Sequence, residues 1–138
     1  MNVALLPIHP QYAESILNGE KHVEFRRKNF KNNVTHIAIY ASSPIMKVVG
    51  YFEIEVIEVT TPKNAWRKYK KTGSISKIDF DSYYKNTETA VVIKIEKSFK
   101  FKNPLKITDL DQSYSAPQSY RYLSDEQFKR LKRLKTIN

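Results

Sequence analysis

The chain turns from a helix into a strand at Gly19-Glu-Lys21-His-Val-Glu24-Phe-Arg26-Arg27. Glycine suits the left-handed position after a helix C-terminus, so Gly19 is expected to end the preceding helix. Polar and apolar residues alternate beyond it, which predicts a strand. Val23 and Phe25 would face the core. Glu24 and Arg26 would share the opposite face, about 6.5–7 Å apart along the strand.

This pattern places one acid and three bases at one end of a rigid strand, namely Lys21, Glu24, Arg26 and Arg27. An arginine presents a planar donor fork to a phosphate or a base edge. A lysine beside arginines is pushed toward a lower pKa, which a general base or nucleophile needs. A carboxylate can accept from an exocyclic amine or relay a proton. From spacing alone, an ordinary surface ion-pair strand is the simpler interpretation.

Outward from this stretch, the pattern predicts a mixture of short helices and long strands. Strands are predicted at 3–7, 34–41, 48–59 and 89–101, and helices at 10–18, from 62 to about 72, and after 79. A phase slip predicts a β-bulge near Val56–Ile57, because one extra residue exchanges the two faces. Ser124 and Gln127 form a capping box that opens a last helix. These elements predict an α+β domain, a small barrel of five or six strands flanked by helices.

Length and composition favour one folded domain over residues 1–138, with a formal net charge of +10 from 24 basic and 14 acidic residues. No cysteine is present, which excludes disulfides, a thiol nucleophile and thiolate metal sites. Because the three histidines show no ligand spacing, we expect no metal and no cofactor. The N-terminus lacks a signal-peptide pattern and no run is long enough to span a membrane, so the cytoplasm is the expected compartment.

The basic excess lies mostly outside the opening stretch. Residues 61–85 carry a net charge of +5 and residues 124–138 carry +3. Trp66 and Tyr69 interleave with lysines in the first of these segments, which suits stacking on bases with phosphate contacts alongside. The simpler interpretation is core packing by the two aromatic residues, with the lysines on a solvated face.

The pattern Gly19-x-Lys21-x-x-Glu24-x-Arg26 resembles the G-x-K-x-x-E-x-R signature of the ASCH domain, a branch of the PUA-like superfamily. The resemblance extends over nearly the whole chain. The other matching segments are 8–17, 40–44, 48–50 and 116–123, the last of which resembles a late Pro-Gln-Ser segment of bacterial and archaeal members.

This resemblance implies a small PUA-like β-barrel with a cleft beside the signature, where members are thought to bind RNA. Some members are labelled predicted transcriptional regulators. Some of those carry a helix-turn-helix in addition, for which this chain has no room, so that label is not expected to transfer, and a regulatory role stays an open alternative. Others are implied to be amidohydrolases acting on acetylated cytidine, or ribonucleases. In the amidohydrolase members the signature lysine, here Lys21, is base or nucleophile, and a hydroxyl residue lies three positions later, where this chain has Glu24.

Two further groups are candidates for the cleft. Ser42 and Ser43 lie at a strand end, where exposed hydroxyls suit phosphate or base contacts, although ordinary turn chemistry explains them equally well. Gln118, Ser119 and Tyr120 lie in a polar loop, and glutamine can read a base edge as donor and acceptor. The alternative for this loop is a cap-forming segment before the last helix.

Three function hypotheses result. The first is an RNA- or nucleotide-binding module in which Lys21, Arg26 and Arg27 engage phosphates or base edges and Glu24 accepts from a base amine. The second is a hydrolase acting on a modified nucleoside or on RNA, with Lys21 and Glu24 as catalytic residues. The third is a protein-interaction module. RNA or a nucleotide is the expected partner, DNA stays open, a protein partner is unknown, and no membrane is expected.

Overall fold

A computed structural model describes residues 2–113 and 115–137. It contains six strands and five helices within those residues. The strands are β1 (Val3–Ile8), β2 (Val23–Arg26), β3 (His36–Ala41), β4 (Lys47–Thr60), β5 (Ala90–Leu105) and β6 (Arg121–Leu123). The helices are α1 (Pro10–Leu17), α2 (Pro62–Tyr69), α3 (Lys77–Tyr83), α4 (Ile107–Leu110) and α5 (Asp125–Lys132).

The strands form one mixed sheet in the order β2-β5-β4-β3-β1-β6. β1 and β3 pair in parallel, and the other neighbours pair antiparallel. This confirms the predicted α+β class with six strands flanked by helices. The sheet is not closed, because β2 and β6 lie at its two ends and do not pair with each other in the described part of the chain.

The local signals near the signature act as predicted. Pro10 occupies the first turn of α1, and Asn18 is its C-cap. Gly19 then adopts a φ of +87°, a backbone conformation that favours glycine because it lacks a Cβ. Val23 and Phe25 pack with Phe80 on one face of β2, so the predicted alternation of this strand is correct.

Several boundaries differ from the sequence prediction: β5 extends to Leu105 rather than to 101, and α3 begins at Lys77 rather than after 79. The β4–β5 register shifts between residues 53 and 56, slightly before the predicted bulge. α2 ends at Tyr69 rather than near Thr72, because the chain turns there and the N–H of Gly73 donates to the carbonyl of Tyr69 at 2.8 Å. This turn leads directly to α3 and brings it against β2.

The core has three parts, which follow from strand alternation. Ala4, Leu6 and Ile8 of β1 pack with α1 on one face of the sheet. Val3 and Leu5 pack with Phe128 and Leu131 of α5 on the other face. A third cluster joins β2 to α2 and α3. Within the described residues, no helix is long and apolar enough to cross a membrane.

Candidate nucleic-acid interface

A cleft of about 960 Å³ lies between the two ends of the sheet. Both end strands line it, β2 with Arg26 and β6 with Arg121 and Tyr122. Leu6 of β1 contributes an apolar side chain. Because the ends of the sheet do not pair, the seam between them stays open as a concave surface. Concave sites of this size commonly hold small ligands or single residues of a polymer.

The cleft is strongly basic. Its cations are Arg26, Arg27, Lys28, Lys31 and Arg121. No aspartate, glutamate or histidine is among the residues that line it. Positive charge concentrated in a concave site raises the local concentration of anions. The lining therefore favours a ligand with several negative charges.

Aromatic rings line the same cleft. Tyr120 packs edge-on against Phe30, with ring centroids 4.9 Å apart, and its ring lies 5.3 Å from that of Tyr122. On the opposite side, the guanidinium of Arg27 lies over the ring of Tyr83 at 4.8 Å. These rings are only partly buried, and accessible ring surface beside cations is the combination that single-stranded nucleic acids bind, with bases stacked and phosphates paired.

The loop between β2 and β3 is fixed to β6 by two tyrosines. The backbone N–H of Lys31 donates to Tyr120 Oη at 3.3 Å, and that of Asn32 donates to Tyr122 Oη at 2.9 Å. The hydrogen bond with Tyr122, and then the one from Lys31, lower the pKa of Tyr120. The loop that carries Phe30 is therefore held at the cleft by hydrogen bonds from its main-chain N–H groups to two tyrosine hydroxyls.

Glu24 and Arg26 satisfy each other at the floor of the seam. Glu24 is 5% exposed, and its Oε2 lies 3.4 Å from Nη1 of Arg26. The same Nη1 donates to the carbonyl of Pro7 in β1 at 3.3 Å. Arg26 thus connects β2 to β1 across the open seam. Its own carbonyl accepts from the hydroxyl of Tyr84 at 2.9 Å, and burial raises the pKa of that hydroxyl.

Lys21 does not line the cleft. It is only 2% exposed, and its Nζ donates to the carbonyl of Gly73. The ammonium also lies 5.0 Å from the ring centroids of both Tyr12 and Phe25. Burial lowers the pKa of Lys21, and the charge of Glu24 partly opposes that shift. The signature lysine is therefore buried in the protein and does not form part of the cleft surface.

The lowered pKa of Lys21 predicts a specific pH dependence of stability. The unfolded chain keeps this pKa near 10.5, so between the lower folded pKa and 10.5 the unfolded state binds more protons. The contribution of Lys21 therefore becomes more favourable as pH rises through this window, and it is smallest below the folded pKa. Urea unfolding of wild type and Lys21→Met between about pH 7 and 9.5 should show the wild type gaining relative stability. Parallel pH profiles would contradict this prediction.

The structure brings five of the predicted site residues into the cleft and leaves four outside it. Those that line it are Arg26, Arg27, Gln118, Ser119 and Tyr120. Lys21 and Glu24 are buried and do not line it. Ser42 and Ser43 lie in the turn after β3, where the Ser42 carbonyl accepts from the N–H of Ile45 at 3.1 Å, and they are not among the lining residues.

Sequence reasoning did not identify several cleft residues, among them Phe30, Lys31, Tyr83 and Tyr122. A signal existed for the first two, because cations and an aromatic residue interleave immediately after Arg27. The same pattern at 66–71 has a structural explanation. Trp66 packs 5.1 Å from Phe80, Tyr69 is buried, and Lys68 pairs with Glu58. Among the described residues, no group of three or more potential metal ligands occurs.

An open six-stranded sheet, flanked by helices and with a basic cleft between its ends, defines an α+β domain, and its similarity to solved ASCH proteins gives it the PUA-like fold. A family model for the ASCH domain matches residues 6–99, more than half of the chain. The chain belongs to the ASCH domain family. This confirms the family that the signature indicated.

Solved structures agree with this assignment. The chain is similar to an ASCH protein from Zymomonas mobilis, with 26% identity and a TM-score of 0.85 over 97% of this chain and 95% of that one. A mutant form of that protein matches at 25% identity, with a TM-score of 0.86 over 99% of each chain. The N-terminal domain of Staphylothermus marinus McrB, at 11% identity and a TM-score of 0.62, shares the fold alone.

Among the curated relatives, one matches over most of its own length and another over only a part of it. An "ASCH domain-containing ribonuclease" from Zymomonas mobilis is 27% identical over 131 residues, covering 93% of this chain and 88% of that protein. A Ureaplasma parvum protein named "Large ribosomal subunit protein uL22" is 31% identical over 120 residues, covering 86% of this chain. The chain spans only 38% of the length of that protein.

Proposed function

We propose that this protein binds RNA, as a single strand or a nucleotide, in the cleft between the ends of the sheet. The composition of the lining carries the proposal: five cations and four aromatic rings converge there, and no carboxylate lies among them. An acidic protein would satisfy the cations alone. The rings give a reason to prefer a ligand that also has flat bases.

The cleft divides naturally between phosphate and base contacts. Arg27 and Lys31 can neutralise phosphates, and each such contact makes affinity depend on salt. Phe30 and Tyr120 offer ring surface to a base, and the nearby Gln118 can donate to and accept from a base edge. Since stacking needs an unpaired base, single-stranded RNA is the form that fits. The ribonuclease name of the Zymomonas mobilis relative supports RNA over DNA.

The Arg27 side chain offers the sharpest test of this proposal. Arg27 is exposed and its guanidinium lies over the ring of Tyr83, so Arg27→Ala should leave the fold intact while weakening binding about tenfold or more. Lys71→Ala is the matched control, since it removes an exposed cation outside the cleft and should weaken binding only slightly. Fluorescence anisotropy with a short labelled single-stranded RNA measures both, beside DNA of the same sequence and at two salt concentrations. Equal, small losses from both variants would contradict binding in this cleft.

A hydrolase is the second candidate, and the name of the Zymomonas mobilis relative is the observation that favours it. Lys21 and Glu24 do not line the cleft, and among the residues that do, the groups that could move a proton are the tyrosines and the two lysines, Lys28 and Lys31. Incubation with short RNAs and with acetylated cytidine, followed by product analysis, tests it. Cleavage abolished by Tyr120→Phe would favour hydrolysis in the cleft, and no turnover of either substrate would rule it out. A regulatory role and a cytoplasmic location stay predictions.

A further inference from the structure

The signature lysine is almost fully enclosed, with only 2% of its surface exposed. Tyr12 of α1 and Phe25 of β2 each present a ring to its ammonium at 5.0 Å. The carbonyl of Gly73 accepts from its Nζ. The hydroxyl of Tyr12 also donates to Asp79 of α3 at 3.4 Å, which fixes the covering ring from outside. An amine in this position has no open approach for a substrate.

The same lysine lies at a junction between β2 and the turn that precedes α3. The N–H of His22 donates to the carbonyl of Thr72 at 2.8 Å, and Lys21 takes the carbonyl of the next residue, Gly73. Consecutive carbonyls of this turn are therefore held by consecutive residues of the strand end. Gly73 is buried, and a Cβ there would lie 2.5 Å from Cε2 of Phe25, so only glycine approaches closely enough.

From this junction α3 leads to the wall of the cleft. α3 begins at Lys77, four residues after Gly73, and Ser76 caps it by accepting from the N–H of Asp79 at 3.1 Å. Its Phe80 packs edge-on against Phe25, with centroids 5.1 Å apart. Its last residue, Tyr83, lines the cleft and lies beneath the guanidinium of Arg27.

We propose that Lys21 is a positioning residue that anchors the turn before α3, so that Tyr83 supports Arg27 at the wall of the cleft. The inference rests on the proposed function only for the part that concerns affinity. It departs from the role of base or nucleophile that the resemblance implied for this lysine. A nucleophilic amine needs an open path to its substrate as well as a lowered pKa. Lys21 is buried, and no such open path reaches its amine.

Accessibility of the amine can be measured without any ligand. The native protein is treated with trace acetic anhydride, and acetylation is followed at each lysine by mass spectrometry. Acetylation of Lys21 should be at least about tenfold slower than that of the exposed Lys71, because it requires a local opening of the structure. A Lys21 acetylated as fast as Lys71 would overturn the proposal, since an accessible amine of low pKa reacts early. This measurement tests whether Lys21 is enclosed, and it requires neither a folded Lys21 variant nor RNA binding.

Coupling between Lys21 and Tyr83 tests the positioning role itself. RNA affinity is compared for Lys21→Met, Tyr83→Ala and the double variant. If Lys21 acts through Tyr83, each single variant should bind RNA about tenfold more weakly than the wild type. The double variant should then bind no more weakly than the weaker-binding of the two single variants. A purely structural Lys21, or one that contacts the ligand directly, would give losses that multiply, and this would overturn the proposal. Absence of RNA binding by the wild type would instead reject the proposed function, with the acetylation result still standing.

Discussion

Arg26→Ala is expected to lower the free energy of unfolding by about 3 kcal/mol or more, because it leaves a buried carboxylate without its partner. The side chain of Glu24 is 7% exposed, and the guanidinium of Arg26 lies 3.4 Å from it. The substitution also removes the donor to the carbonyl of Pro7, the side-chain link between β2 and β1. Urea unfolding followed by circular dichroism measures this loss.

A second substitution separates the buried charge from the loss of packing. Glu24→Gln in the Arg26→Ala background removes the unpaired charge and should restore part of the stability. Arg27→Ala is the neighbouring control, since this exposed arginine lies over Tyr83 and should change stability by less than about 1 kcal/mol. A loss from Arg26→Ala no larger than that from Arg27→Ala would contradict the role of Arg26 in the seam. It would also show that a binding defect in Arg26→Ala comes from the cleft rather than from the fold.

Strand alternation was sufficient to predict the Glu24–Arg26 pair. Because alternate residues of a strand share a face, and Val23 and Phe25 face the core, Glu24 and Arg26 are expected together on the opposite face. The structure shows these two side chains paired. The capping box of Ser124 and Gln127 was likewise correct, with both reciprocal hydrogen bonds present. These features depend on residues within a few positions of one another, which is the range over which periodicity and capping rules apply.

The burial of Lys21 could not be predicted from its surroundings in the sequence. A lysine between Glu20 and His22 at the start of a strand is expected to be solvated. Its acceptor, Gly73, lies 52 positions away, and the path of the α2–α3 turn places that carbonyl. Tyr83 illustrates the same limit, because only tertiary structure brings α3 beside Arg27. Resemblance to a family located the motif without showing which of its side chains line the cleft.

The distribution of charge takes on a different meaning in the folded protein. The largest local excess in the sequence lies at 61–85, yet all five cations that line the cleft come from residues 26–31 and Arg121. α5 and its basic C-terminal turn pack on the face of the sheet opposite to Leu6. The cations of α5 therefore attract polyanions in general rather than making contacts within the cleft.

Gly73→Ala is expected to destabilise the protein by about 3 kcal/mol or more, because two costs occur together. The new Cβ would lie 2.5 and 2.7 Å from two ring carbons of Phe25 and 3.0 Å from the carbonyl oxygen of Tyr69. Phe25 is buried and packs on Phe80, so its ring has little room to move. The turn must therefore shift, and its carbonyl then leaves the buried ammonium of Lys21 without that acceptor.

Gly19→Ala is the matched control for this substitution, since it places the same methyl group at the other glycine near Lys21. Its Cβ would have no heavy atom within 4 Å, and only the positive φ opposes it, at a cost of about 1–2 kcal/mol. Urea unfolding should thus show the larger loss for Gly73→Ala, and acetylation of Lys21 should accelerate in that variant alone. Equal losses in the two variants, with Lys21 still protected in both, would mean that the turn at Gly73 does not hold the lysine closed. The pair therefore tests, by steric change at a residue that carries no charge, whether the enclosure of the signature lysine depends on the α2–α3 turn.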